Sequence, residues 1–279
     1  MKAKMKVMQT DKVTLTLTFL MRASMICVLA IFLILIGFIF IKGIAHINFE
    51  MFAWQYNSQN ISMTPAIINT LTMVLFALIL AMPLGIFGAI YLSEYASKSS
   101  KILHVIRIAS ETLVGIPSIV YGLFGYLAFV IYFGFRTSLI AGGLTLAVMI
   151  LPLILRSAEE ALKSVPMTFR EASFALGVGK LRTIFIIVLP VAIPGILAGV
   201  ILSIGRIVGE SAALLYTSGS VAKVAGLMDS GRTLSVHMYA ISSEGQHINE
   251  AYSTAMVLII IVFLINLGSN YIAKKLIKA

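Results

Sequence analysis

Charge is what this sequence has least of. Only 11% of its 279 residues are Asp, Glu, Lys or Arg, and only 11 are acidic, whereas a soluble domain carries roughly 25% charged residues. Hydrophobic residues make up 59% of the chain and mean hydropathy is +1.02. A soluble globule could not cover that much apolar surface with so few charges. An ordinary cytosolic enzyme is excluded, and so is a disordered chain. Cysteine is nearly missing: Cys27 alone rules out an intrachain disulfide and any CxxC metal or redox centre. The four histidines, His46, His104, His237 and His247, show no metal-ligand spacing and read as solvated or packed. What charge there is leans basic, with a net +10. On so apolar a chain that balance reads as the positive-inside bias of a membrane protein, not as contact with nucleic acid.

The few charges mark out the spans. Uncharged or apolar intervals lie at 23–41, 65–92, 112–135, 137–155, 183–205 and 251–273, each near the roughly 20 residues that cross a bilayer core. The alternation of a membrane β-barrel is absent, so the expectation is an all-α protein with six transmembrane helices. An even number of spans puts both termini on one side. That side collects 16 of the 21 Lys and Arg residues, which places residues 1–22 and 274–279 in the cytoplasm of a multi-pass protein of the plasma (inner) membrane. The first span is read as retained. Its apolar core exceeds a signal-peptide core, and no small-x-small site follows it.

Proline and glycine interrupt most spans: Pro83 and Gly85, Gly115 and Pro117, Pro152, and Pro190, Pro194 and Gly195. Such residues need protein or water around the freed backbone, and many broken helices suit a transporter. Gly195, Gly199 and Ser203 repeat at four-residue spacing, a small-residue stripe that packs another helix of the same chain or forms a dimer seam.

The stretch between the fourth and fifth spans, Arg156–Thr183, is too patterned for an idle connector. Ala158–Val165 and Thr168–Leu176 read as short helices separated by Pro166. In the second, Phe169, Ala172, Phe174 and Leu176 are apolar among Arg170, Glu171 and Ser173, so the helix is expected to offer an apolar surface with charged edges. Gly177 supplies its stop. A helix, stop and turn of this kind suits a partner's groove.

Glu171-Ala172-Ser173, three residues, Gly177, nine residues, Ile187, one residue and Leu189-Pro190 resemble the EAA signature of ABC-importer permeases at every spacing. Ser173 in place of the second alanine is the one departure. Gly205-Arg206-Ile207-Val208-Gly209-Glu210-Ser211-Ala212-Ala213-Leu214-Leu215 and Glu111-Thr112-Leu113-x-Gly115-Ile116-Pro117-Ser118-Ile119-Val120-Tyr121-Gly122 are similar to segments of the phosphate-importer permeases of the PstA type. The likeness covers about residues 65–273. It implies the type I importer permease (MetI-like) fold, and a coupling loop at 156–183 in which Glu171, Ala172, Ser173 and Gly177 shape a helix that docks on a cytoplasmic ATPase. It also implies partners: a second permease subunit, a dimeric ABC ATPase, an extracytoplasmic phosphate-binding protein and the lipid bilayer.

The chain is not expected to be an enzyme. It lacks a Walker A sequence, since Gly177-Val178-Gly179-Lys180 is followed by Leu181, and no Ser/His/Asp or Cys/His set accompanies it. ATP and Mg would be held by the partner ATPase, leaving this chain without a cofactor of its own. Arg206, Glu210 and Ser211 are the expected residues of the translocation path. Counted along a helix from Leu181, Arg206 falls toward the outer face, with Glu210 i,i+4 on the same face. The arginine then either lines a cavity for an oxyanion or snorkels to the interface beside Glu210. Molybdate or sulfate in place of phosphate is the near alternative, and an ion-driven secondary carrier the distant one.

Overall fold

The computed structural model describes residues 12–96, 101–243, 245 and 247–278. The first eleven residues of the basic tail, and Lys98 of the charge count, lie outside the described residues. Helices are the only regular structure among the described residues. They are α1 (Lys12–Ala45), α2 (Thr64–Ile90), α3 (Lys101–Val114), α4 (Ser118–Gly125), α5 (Leu139–Ser164), α6 (Met167–Ala175), α7 (Lys180–Thr183), α8 (Leu189–Val208), α9 (Ala212–Thr217), α10 (Leu234–Ser243) and α11 (Ile248–Lys278). Wider π turns extend α2 over Tyr91–Tyr95 and α4 over Tyr126–Tyr132, and join α7 to α8 over Ile184–Val188.

Among the described residues five continuous helices are long and apolar enough to cross a membrane: Thr14–Ala45, Thr64–Tyr95, Leu139–Ser164, Lys180–Val208 and Ile248–Tyr271. In place of a sixth continuous span stands a bent pair, Leu103–Val114 and Ser118–Tyr132, with 104° between its arms, which makes a sixth span only if the two arms are taken together. The break falls at Gly115–Pro117. Pro117 holds extended backbone (φ −57°, ψ 139°), and a proline biases the residue before it away from the helical region. The Tyr121 hydroxyl donates to the Leu113 carbonyl at 2.8 Å, satisfying one of the carbonyls that the end of α3 leaves open. Pro83, Pro152 and Pro194, read as interruptions, lie inside unbroken helices instead.

Two further expectations need correction. Ala158–Val165 is not a separate short helix: α5 runs unbroken from Leu139 to Ser164. Charge ends the apolar interval but not the helix, because its last turns are tied by i,i+4 pairs. Arg156 Nε donates to Glu160 at 2.9 Å, and Lys163 Nζ reaches Glu159 at 2.7 Å. The fifth span likewise begins at Lys180, ahead of the uncharged interval 183–205, and the backbone of residues 274–278 continues α11.

Leucine gains little by leaving lipid for a neighbouring leucine, so close approach holds such bundles together. Here α5 is the axis, with α2 and α8 packed on it. A Cβ on Gly85 would stand 2.8 Å from the Ile154 side chain, and one on Gly195 2.6 Å from that of Ala161; Gly199 abuts Ser157 in the same way. The Gly195–Gly199 stripe therefore packs α8 on α5 within the chain. α1 stands apart, touching α11 where Gly43 lies against Tyr252 and Met256. The Ser253 hydroxyl donates to the Gly43 carbonyl at 2.8 Å there.

One end of the bundle carries α6 and the basic residues around it. The other is closed by α9, α10 and the connection between them. That cap satisfies the start of α5, since Ser138, Leu139 and Ile140 donate their N–H groups to Thr217, Asp229 and Leu227 carbonyls at 3.0, 3.0 and 2.8 Å. Asn69 of α2 staples the cap from below. Its amide donates to Lys223 and Arg232 carbonyls at 2.8 and 3.1 Å and accepts from the Ala225 N–H at 3.1 Å.

Candidate functional site: a mid-bundle cavity and an apolar helix at the basic end

α6 begins after Pro166 and ends in a Schellman turn. The Val178 N–H donates to the Ser173 carbonyl at 3.1 Å and the Gly177 N–H to the Phe174 carbonyl at 2.9 Å. Gly177 adopts φ +76° with nothing within 4 Å of an added Cβ, so backbone conformation alone asks for glycine there.

The polarity of α6 is inverted relative to a surface helix. Met167, Phe169, Phe174 and Leu176 are exposed, whereas Arg170 and Ser173 are buried. Glu171 and Ala172 are exposed beside the apolar residues, as is Gly177. The apolar surface matches the sequence expectation, but Arg170 and Ser173 are not its edges; they anchor the underside. The Arg170 guanidinium reaches Glu94 at 2.6 Å, and the Ser173 and Thr183 hydroxyls share a hydrogen bond of 2.8 Å. An amphipathic helix that turns its apolar face outward, at a bundle end rich in Lys and Arg, is a candidate docking surface.

The second region is a cavity of about 700 Å³ between α3, α5, α8 and α11. Its walls are largely apolar, with Val114, Leu153, Ile201 and Leu202 among them, and its polar groups are Arg206, Asn266 and Asn270. The depth of Arg206 follows from the helix contacts. From the Gly199–Ser157 contact, seven residues onward along α8 and seven back along α5 set Arg206 level with Ile150. That is near the middle of α5, not toward its outer end. The expectation of an outer-face position fails because the first turns of the fifth span project beyond the core at the basic end.

The expected Arg206–Glu210 pair is also absent. α8 ends at Val208, so Glu210 has left the helix and its face. Its Oε1 accepts from the Ala213 N–H at 3.0 Å, and its carbonyl accepts from the Ser235 hydroxyl. Glu210 is buried and serves the start of α9; Ser211 caps that helix with its backbone only, its carbonyl accepting from the Leu215 N–H at 3.0 Å. None of the ion pairs among the described residues includes Arg206. A half-buried guanidinium at mid-bundle depth, with no ion-pair partner among the described residues, is costly in a membrane and makes this cavity a candidate polar route.

Residues 81–278 match the family described as the binding-protein-dependent transport system inner membrane component. The chain belongs to that family. It is 32% identical over 276 residues to the "Probable ABC transporter permease protein YqgI" of Bacillus subtilis, covering 91% of this chain and 93% of that protein. It is 37% identical over 211 residues to the "Phosphate transport system permease protein PstA 1" of Mycobacterium tuberculosis (strain CDC 1551 / Oshkosh), covering 74% and 69% respectively. A chain from the crystal structure of a bacterial alginate ABC transporter in complex with alginate pentasaccharide-bound periplasmic protein superposes with a TM-score of 0.69 at 17% identity, over 97% of this chain and 99% of that one. One from an inward-facing methionine transporter, MetNI, gives 0.60 at 20% identity, over 76% and 93%. The type I importer permease fold of a multi-pass membrane subunit is thereby established.

Sequence reasoning missed Asn266, Asn270 and Glu94. The two asparagines stand i,i+4 in an otherwise apolar span, and amides at membrane depth are a readable signal of a polar lining. Glu94 carried no such signal, because a carboxylate at the end of a span reads as solvated.

Proposed function

We propose that this chain is one permease subunit of an ATP-driven importer of inorganic phosphate and forms half of its translocation pathway. The reading rests first on Arg206, whose planar guanidinium fork suits an oxyanion, in a mid-bundle cavity whose described lining holds no carboxylate. An oxyanion entering the bundle loses water. Arg206 offsets part of that loss by charge, and the Asn266 and Asn270 amides offer donors in place of water. The apolar remainder of the wall keeps the anion weakly held, so it can leave. The name borne by the Mycobacterium tuberculosis relative selects phosphate among oxyanions.

In this scheme both termini and α6 face the cytoplasm, as the distribution of Lys and Arg supports. The apolar face of α6 docks on an ABC ATPase dimer, which binds ATP and Mg and carries out hydrolysis. A second permease subunit completes the pathway, and an extracytoplasmic phosphate-binding protein delivers the anion at the cap. Glu171, Ala172, Ser173 and Gly177 serve the coupling, and Arg206 the path; Glu210 and Ser211 support it by fixing the turn after α8.

The test is uptake of labelled phosphate into proteoliposomes holding this chain with its companion permease, ATPase and binding protein. Uptake that requires both ATP and the binding protein, and that excess sulfate or molybdate does not suppress, is the expected result. Uptake of sulfate in preference to phosphate overturns the choice of substrate. Uptake without the ATPase overturns the class.

A further inference from the structure

The polar underside of α6 is bonded to three different spans. Arg170 Nε donates to Glu94 Oε1 and Oε2 at 3.2 and 3.4 Å, and Nη2 to Oε1 at 2.6 Å. The same guanidinium donates to the Val165 carbonyl at 2.8 Å and the Leu162 carbonyl at 2.9 Å, closing the open end of α5. Both side chains of the pair are 9% exposed. On the other side, Ser173 is bonded to Thr183, and both are buried.

These anchors land on special backbone. Glu94 belongs to the π turn Tyr91–Tyr95 at the end of the α2 path, and Thr183 directly precedes the π turn Ile184–Val188 that feeds α8. Single π turns inside helices are frequent at functional sites. A cavity of about 800 Å³ adjoins the Glu94–Arg170 pair. Its other cations are already engaged: Arg107 and Lys163 both hold Glu159 at 2.7 Å, and Lys180 lies 4.6 Å above the Tyr95 ring. The cluster is built to hold α6 rather than to receive a ligand.

We infer that Glu94 is a positioning residue through which α6 drives the bundle: the Glu94–Arg170 pair links it to α2 and the Ser173–Thr183 bond links it to α8. This inference rests on the importer reading above. A push on the outward apolar face reaches the spans through the contacts with least give, and a buried, multiply bonded ion pair is the stiffest one α6 makes. Removing one partner of such a pair leaves the other charge uncompensated. Through Thr183 the motion reaches α8, which carries Arg206, and through Glu94 it reaches α2, which packs on α5 beside α8.

The experiment uses the complete importer with Cys27→Ser, since Cys27 is exposed, and spin labels at the exposed positions Met82 of α2 and Val191 of α8, neither of which lines the Arg206 cavity. With the native pair, adding ATP should change the distance between the labels. Glu94→Gln keeps the shape and removes the charge. It should leave the ATPase bound and basal hydrolysis intact, abolish the ATP-driven distance change, and lower phosphate moved per ATP about tenfold, within the range of allosteric coupling. Glu94→Asp, which keeps the charge, should recover part of both. A Glu94→Gln complex with the native distance change and native phosphate per ATP overturns the inference. So does loss of the ATPase from that complex, which would make the pair a mere brace for α6, or a native complex whose labels do not respond to ATP. The distances are read without substrate, so a native importer that moves its labels but not phosphate counts against the functional reading alone.

Discussion

The Glu210 carboxylate lies on the Ala213 N–H at 3.0 Å, turned away from the helix that carries Arg206. The two charges that stand four apart in sequence therefore do different work. One opens a short helix, while the other faces a cavity at mid-bundle depth.

From that separation follow unequal effects. Arg206→Gln removes the only cation among the described residues of the cavity lining and should reduce phosphate uptake at least about a hundredfold, since each lost 1.4 kcal/mol of barrier lowering is tenfold. Subunit assembly and basal ATP hydrolysis should be unchanged. Glu210→Gln retains an acceptor for Ala213 and should transport at near-native rate, whereas Glu210→Ala strips the helix start and should cost about 1 kcal/mol of stability. Uptake by vesicles containing each variant checks the order. A Glu210→Gln defect as deep as that of Arg206→Gln would show that the charges act as a pair after all.

Gly177 asks for conformation rather than space, so the side chain introduced there should rank by its tolerance of positive φ. Gly177→Asn should be mild, Gly177→Ala should cost about 1 kcal/mol, and Gly177→Val more. Because the strain falls on the turn that aims α6, the readout is co-purification of the ATPase. Membrane insertion should be normal in all three. Equal ATPase recovery with Asn and Val would remove the positive-φ turn from the argument.

His237 gives the cap a pH dependence. It is fully buried, and burial together with the nearby Arg232 charge pushes its pKa down to about 3 from 6.5. Above pH 6.5 the imidazole is neutral whether the cap is folded or not, and its contribution is fully present. Between 6.5 and 3 only the unfolded form takes the proton, so stability falls with pH across that window, by up to about 1.4 kcal/mol per unit. The Tyr56 ring meets His237 edge-on at 6.1 Å, a contact that phenylalanine can keep. His237→Phe should flatten this limb of the thermal stability curve between pH 6.5 and 4. An unchanged slope would assign the acid sensitivity to other groups.

Asn69 makes three bonds to the cap connection from inside α2, so Asn69→Leu should free that connection while leaving the spans in place. The loss is expected at about 2–3 kcal/mol, from stranding backbone groups that are buried around it. Hydrogen exchange should rise at Ala225 and across residues 218–233 and stay low in α5. Uniform exchange across both would mean that the cap and bundle open together.

Much of this architecture is legible in the sequence, because a bilayer forces apolar length and intrahelical bonding. The apolar intervals correspond to five continuous spans and a broken pair, and Gly177 marks the turn that ends α6. What escaped depends on where helices stop in three dimensions. Charged residues at 156–164 look like a loop, yet i,i+4 pairs carry α5 through them. Arg206 and Glu210 look like neighbours on a face, yet the helix ends between them at Val208. Arg170 looks like a solvated edge, because nothing local announces that Glu94, far away in the sequence, will meet it. The proline at 117 breaks its span and those at 83, 152 and 194 do not, so the residue type alone does not decide.

The outward apolar face of α6 also bears on how such a subunit is made. A copy inserted into the membrane without its partner shows Met167, Phe169, Phe174 and Leu176 to water, the kind of exposed patch that drives aggregation. Surplus copies therefore carry a built-in mark of being unassembled, open to the proteases and chaperones that patrol membrane surfaces. Balanced synthesis with the other subunits would hide that mark as fast as it forms, so the same four side chains that fit a partner would also set how long a solitary chain survives.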